Sequence, residues 1–177
     1  MALTIGLIIL LAVIGVLVAA ARKPDEFRMQ RSGHVNAAAD RIFPHVNDFH
    51  RWAAWSPFEK IDPAMNKAFS GAPSGPGAIY EWEGNKKAGK GRMEITRATD
   101  PSEVVIKLDF IKPFEGHNVT TFTMTPAAGG TDVTWAMAGP MTFTGKIFHV
   151  FVNMDKMVGK DFEAGLASLK SVSESKV

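Results

Sequence analysis

Five stretches of strict two-residue alternation crowd the second half of this chain, and one long helical stripe follows them. Ala78, Tyr80 and Trp82 alternate with Ile79, Glu81 and Glu83. Gly91, Met93 and Ile95 alternate with Arg92, Glu94 and Thr96. Val104, Ile106, Leu108 and Phe110 form the third series, Asn118, Thr120, Phe122 and Met124 the fourth, and Val133, Trp135 and Met137 the fifth. A strand points successive side chains to opposite faces, so each series predicts an antiparallel strand with one buried face. Turn chemistry separates them: Asp100-Pro101-Ser102, Lys112-Pro113 to Gly116, and Ala128-Gly129-Gly130-Thr131.

Five half-buried strands need a cover, and the sequence supplies one. Read as a single α-helix, Gly145 to Leu169 places Phe148, Phe151, Val152, Gly159, Phe162, Leu166 and Leu169 on one stripe, widened by Met154, Met157 and Val158. Burying each Phe or Leu contributes roughly 1.5–3 kcal/mol, so packing against the sheet, not helix propensity, should hold this helix. Asp155 falls within the stripe. A carboxylate there must find a donor or stay protonated.

Ahead of the alternations, Phe27 to Val35 reads as a first strand. Asn36 reads as the N-cap of a short helix from Ala37 towards Val46, with Pro44 expected to kink or restart it. Asp48 to Trp55 continues as a second short helix or turn, and Gly71, Pro73, Gly75, Pro76 and Gly77 make a loop. The sum is an α+β domain, a curved antiparallel sheet of about seven strands around a long C-terminal helix.

One apolar run precedes the domain. Ala2 to Ala21 is uncharged and near the roughly 20 residues that cross a bilayer core, so it predicts a retained transmembrane helix. A cleaved signal is the competing reading, because Ala19-Ala20-Ala21 resembles a cleavage site. The run exceeds a signal's apolar region, and no Lys or Arg precedes it. Arg22, Lys23, Arg28 and Arg31 follow it, which places the rest of the chain on the cytoplasmic side of the cell membrane. The expected organisation is an anchor over 2–21, a linker over 22–26, a domain over 27–172 and a tail over 173–177.

Charge and motifs exclude several functions. A net charge of +2, with no basic helix or base-stacking motif, argues against nucleic-acid binding. Nucleotide-binding glycine loops, nucleophile elbows and zinc signatures are absent from the sequence. Without cysteine, and with five histidines at no metal-ligand spacing, no cofactor or metal is expected. Lys86, Lys87, Lys90 and Arg92 form one basic cluster, read as a solvated hairpin tip that could touch anionic headgroups.

A family resemblance rests on motifs spread over Phe27 to Lys170. They are Asn36-Ala37 leading to Ile42-Phe43-Pro44, Asp48 to Trp52, Trp55-Ser56-Pro57, and Gly75-Pro76-Gly77-Ala78 with Tyr80. Trp82-Glu83-Gly84, Gly89-Lys90-Gly91, Gly159-Lys160-Asp161-Phe162-Glu163 and Gly165-Leu166 complete them. With this order of elements, the chain resembles the polyketide cyclase/dehydrase-like subgroup of the START-like (SRPBCC, Bet v 1-like) helix-grip superfamily. The resemblance implies an internal apolar cavity between sheet and helix, used elsewhere in the superfamily for lipids, sterols, hormones or polyketides.

Candidate ligand-binding residues follow from the inward faces and the implied cavity. Trp55 and Phe58 come from the short helical region. Tyr80, Trp82, Met93, Ile95, Ile106 and Leu108 come from the earlier strands, and Asn118, Thr120, Phe122 and Trp135 from the later ones. Phe148, Phe151, Val152 and Asp155 come from the helix. Tyr80 and the indoles of Trp82 and Trp135 need hydrogen-bond partners if buried. The favoured function is a membrane-anchored module that binds a hydrophobic or amphipathic, lipid-like small molecule. The alternative is a cyclase-like enzyme in which Asp155, Tyr80 or a histidine (His45 or His50) moves a proton on a bound poly-carbonyl chain. A cavity-free interaction scaffold is the third reading.

Overall fold

The computed structural model describes residues 1–175. An apolar helix α1 (Ala2–Ala21) leads into strand β1 (Glu26–Val35), helix α2 (Ala39–Val46) and two tight helical turns, Phe49–Ala54 and Pro57–Lys60. Six strands follow: β2 (Asn66–Gly71), β3 (Ala78–Glu83), β4 (Lys90–Thr99), β5 (Glu103–Lys112), β6 (Gly116–Ala127) and β7 (Gly130–Pro140). Helices α3 (Phe143–Phe151) and α4 (Met154–Glu174) close the chain. Residues 173–174, expected in the tail, belong to α4, and the last two residues lie outside the described ones.

All seven strands form one antiparallel sheet in the order β1-β7-β6-β5-β4-β3-β2. This is the helix-grip α+β arrangement. The meander β2 to β7 runs in sequence order, and β1 closes its last edge by pairing Phe27 with Gly139 and Val35 with Thr131. The alternations hold: Tyr80, Ile95, Ile106, Phe122 and Trp135 are all buried on the inner face. A register irregularity between Ile95 and Arg97 marks the bend of β4. Strand β2 went unread in the sequence because it is an edge strand exposed at every position, so no burial pattern marks it.

The single C-terminal helix is corrected to two. Val152 is extended (φ −118°, ψ 125°), and Asn153 caps a fresh helix by accepting the Lys156 N–H at 3.0 Å. The stripe is therefore not continuous. In α4 it survives, with Phe162, Leu166 and Leu169 buried against β1 and β7. In α3 it does not: Phe148 is 51% and Phe151 70% exposed. Asn36 is corrected too. It does not cap α2. Its backbone and side-chain N–H groups both donate to Glu174 Oε1 of α4, and Ala38 holds the cap position.

Two glycines set how closely α4 approaches its neighbours. Arg31, on the inner face of β1, lies across Gly159 and donates to Asp155 and Glu163, one turn to either side. A side chain at Gly159 would occupy the guanidinium's place. A β-carbon at Gly165 would lie 2.6 Å from the Trp135 ring and 3.0 Å from Pro57. Gly165→Ala is therefore expected to lower stability by about 1–3 kcal/mol from overpacking, against roughly 1 kcal/mol gained in helix propensity. Denaturant titration gives the net sign; a stabilised variant would mean that Trp135 and Pro57 can move aside.

Candidate functional site

The inner face of the sheet has a filled half and an open half. Towards the end that carries α2, the β6–β7 turn and the C-terminus of α4, rings pack on rings. Trp135 stacks on Phe162 at 4.1 Å and lies 4.8 Å from Phe122, and Trp55 meets Trp135 edge-on at 5.6 Å. The indoles of Trp52 and Trp55 donate to the carbonyls of Val46 and His45, which ties the Phe49–Ala54 turn to α2. Of the candidates, Trp55, Ile95, Ile106, Phe122 and Trp135 lie in this half, fully or almost fully buried.

The other half lies where β1 begins, β7 ends and the β3–β4 and β5–β6 turns sit side by side. Here the inner face is only partly covered. Phe27, Trp82, Leu108 and Phe110 are half-buried. Met93, Asn118 and Met137 are 8% exposed. The Asn118 amide lies across Gly139, where a β-carbon would collide with it. The Asn118 side chain makes no hydrogen bond among the described residues. Thr120, 3% exposed, follows it on the same face of β6, so this mainly apolar wall carries two polar groups, the composition expected of a ligand site. A shallow depression lined by Thr96, Val105, Lys107, His117, Asn118 and Val119 lies on the outer face of β4, β5 and β6.

Between the halves lies one ionisable cluster that sequence reasoning missed. Glu59 accepts from the Tyr80 hydroxyl at 2.7 Å and is ion-paired with Lys67. Its side chain is only 8% exposed. Burial first, then the Glu59 carboxylate, holds the Tyr80 phenol well above its ordinary range, so Tyr80 stays neutral and donates. The only hint in the sequence is a charge directly after the apolar Trp55-Ser56-Pro57-Phe58 run. Phe58 is partly buried and faces Trp135 edge-on at 6.0 Å. Trp82 Nε1 donates to the Ala88 carbonyl at 3.0 Å. Trp135 Nε1 is buried with no partner among the described residues.

Four candidates leave the inner face. Phe148 and Phe151 point outward, and half-buried Val152 forms the break between α3 and α4. Asp155 is exposed, and Arg31 at 2.9 Å holds its carboxyl below the usual range. The cause is the break at Val152–Asn153. It swings α3 out of line and leaves the first turn of α4 at the rim, where Arg31 reaches Asp155. Asp155 is therefore neither an inward acid nor a wall residue.

The histidines divide as well. His50 is exposed, bonded to Asp48 and stacked on Phe69 at 4.3 Å. His45 is half-buried with an unpartnered Nδ1; burial, then Arg51 and Arg41, depress its pKa below 6.5. A base depressed in the folded state contributes stability above its unfolded pKa, lost as pH falls through the folded one. Melting temperature is therefore expected to fall as pH drops below about 6.5, the ordinary histidine value. His45→Gln should flatten that acid limb, and melts of both proteins across the range check it. An unchanged limb would assign the acid sensitivity to other groups.

Residues 26–174 match the family model described as "Polyketide cyclase / dehydrase and lipid transport". No curated protein matches the chain. Among solved structures, protein CV1439 from Chromobacterium violaceum is 15% identical with a TM-score of 0.59, covering 87% of this chain and 100% of that one. The Aha1 dimer from Colwellia psychrerythraea is 12% identical with a TM-score of 0.60, covering 84% and 96%. The di-domain ARO/CYC BexL from the BE-7585A biosynthetic pathway is 10% identical with a TM-score of 0.62, covering 91% of this chain and 54% of that one. At these identities the likeness is one of fold.

Proposed function

Since this chain belongs to the polyketide cyclase/dehydrase and lipid transport family, we propose that it is a membrane-anchored domain that binds a hydrophobic or amphipathic, lipid-like small molecule on the open half of the inner face. One observation carries the reading: Phe27, Trp82, Leu108 and Phe110 leave apolar surface incompletely covered inside the sheet. Uncovered apolar surface of this kind is relieved by a ligand at roughly 25 cal/mol per Å². The amide of Asn118 supplies an orienting donor and acceptor. The helix α1 holds the domain at the cytoplasmic face of the membrane, on the side favoured by Arg22 and Lys23.

The test is native mass spectrometry and lipid extraction of the full chain purified in mild detergent. One class of apolar molecule should co-purify. Trp82→Ala with Leu108→Ala should lower its occupancy several-fold, whereas Val119→Ala on the outer face should not. A full-length protein that carries nothing, in every mild detergent tried, would defeat the proposal.

A second reading has one specific observation in its favour. Glu59, Tyr80 and Lys67 place a carboxylate, a phenol and an ammonium together at the inner wall, as a proton-moving site on a poly-carbonyl substrate would need. In this arrangement the phenol is already committed to Glu59, which favours a structural role. Binding therefore stands first.

A further inference from the structure

The exposed aromatic residues of α3 are not used by any site described above. Phe143 is 50%, Phe148 51% and Phe151 70% exposed, and with Thr144 they make up the exposed side of this helix. Phe114, at 82%, caps the β5–β6 turn at the same end of the sheet. At the far end, the turns at 71–77, 99–103 and 127–131 expose no large apolar side chain among the described residues. The most exposed apolar side chains of the domain are therefore concentrated at one end, with Phe69 and Val119 lying elsewhere on the sheet, and it is the end at which α1 joins.

The attachment of α1 fixes how that end lies. The last turns of α1 pack against α3, with Val16 and Ala19 half-buried and Ala20 fully buried. The Asp25 carbonyl accepts the Met141 N–H at 2.7 Å, and its carboxylate pairs with Lys146, the buried residue of α3. These contacts tie the end of the linker to the domain beside α3. If α1 spans a bilayer, α3 lies level with its last turns, at the boundary between headgroups and acyl chains.

Charge agrees with that placement. Lys86 and Lys87 project from the β3–β4 turn, which abuts the β5–β6 turn where Gly89 meets the Lys112 carbonyl. Lys90 and Lys112 share Glu83 between them and Glu115 stands in the β5–β6 turn, so Lys86 and Lys87 leave the paired turns net basic.

We propose that this end of the domain is a second membrane-binding surface, in which Phe114, Phe143, Phe148 and Phe151 enter the headgroup–acyl boundary of an anionic bilayer while Lys86 and Lys87 face its headgroups. It rests on the anchor reading of α1. The occupant is lipid rather than a second copy of the chain because the aromatic face is continuous with an apolar span and is flanked by bases. With this end on the bilayer, the half-covered inner face opens towards it, so a lipid-like ligand can pass from the leaflet without crossing water.

The chain has no cysteine, so single labels are clean. Leu10→Cys, Phe114→Cys, Phe148→Cys, Phe151→Cys and, at the far end, Ala128→Cys would each carry an environment-sensitive fluorophore. The full chain would be reconstituted in phosphatidylcholine–phosphatidylglycerol vesicles containing spin-labelled quencher lipid. Quenching at 10, 114, 148 and 151 should exceed that at 128 several-fold, and Lys86→Glu with Lys87→Glu should reduce it at 114. Quenching at 10 alone would overturn the docking surface and leave the anchor standing. No quenching at 10 would overturn the anchor itself. Thiol cross-linking between copies at 148 or 151, without quenching there, would assign the face to self-association and overturn the proposal.

Discussion

Phe162→Ala is expected to destabilise the domain by about 3–5 kcal/mol, the range for truncating a well-packed core aromatic. Phe162 is 1% exposed and stacks on Trp135 with planes 10° apart. Trp135 in turn touches Trp55 and Phe122, so the cavity would open where four rings meet. Against a total of about 5–15 kcal/mol, that loss removes much of the domain's stability. The control comes from the neighbouring helix. Phe151, 70% exposed, should change stability by less than about 0.5 kcal/mol on conversion to Ala. Urea titrations followed by tryptophan fluorescence would measure both. Equal effects at the two positions would restore one continuous helical stripe and contradict the break at Val152–Asn153.

Removing α1, or placing an arginine at Leu10 and another at Ile14, is expected to release the protein from the membrane. The helix has a mean hydropathy of 2.9 over Thr4–Ala21, with 6% of that stretch buried against the rest of the chain. A core helix would be largely covered by its own chain, and this one is not. An arginine at the centre of a span costs roughly 2.5–3.5 kcal/mol on insertion scales, and two should defeat insertion. The unaltered protein should stay in the membrane fraction through a carbonate wash, with residues after 21 protected from external protease in intact cells. A soluble mature protein that begins near Arg22 would show the segment to be a cleaved signal.

The two predictions sit at opposite ends of what could be read from the residues. Period-two alternation is a local property: Tyr80, Ile106, Phe122 and Trp135 lie inward because each strand's own pattern demands one wet and one dry face. The family resemblance gathered those strands into a helix-grip sheet, and the register bears it out. An apolar run such as Ala2–Ala21 announces itself by length and composition in the same local way. Strand β2 had no such mark, because an edge strand exposed on both faces carries no period.

The helical stripe could be read correctly only within α4. Residues 148 to 155 keep helical spacing in sequence, and the one local sign of a break is Asn153, a residue that can cap a new helix. The break comes with Asn153 capping α4 and with Lys146 held by Asp25, near the start of the first strand. The cap is local, three residues from Lys156, but the Lys146–Asp25 pair joins residues 121 positions apart, and no short window of sequence contains both partners. The same holds for Arg31, whose position across Gly159 turns Asp155 from an expected buried acid into a rim carboxylate. By itself, then, the sequence determined the sheet's inner face and the apolar N-terminal helix, because each is written in periodicity or composition. The tertiary structure alone decided which aromatic residues fill the core and which face outward, because that depends on where α4 restarts and on which distant side chains meet it.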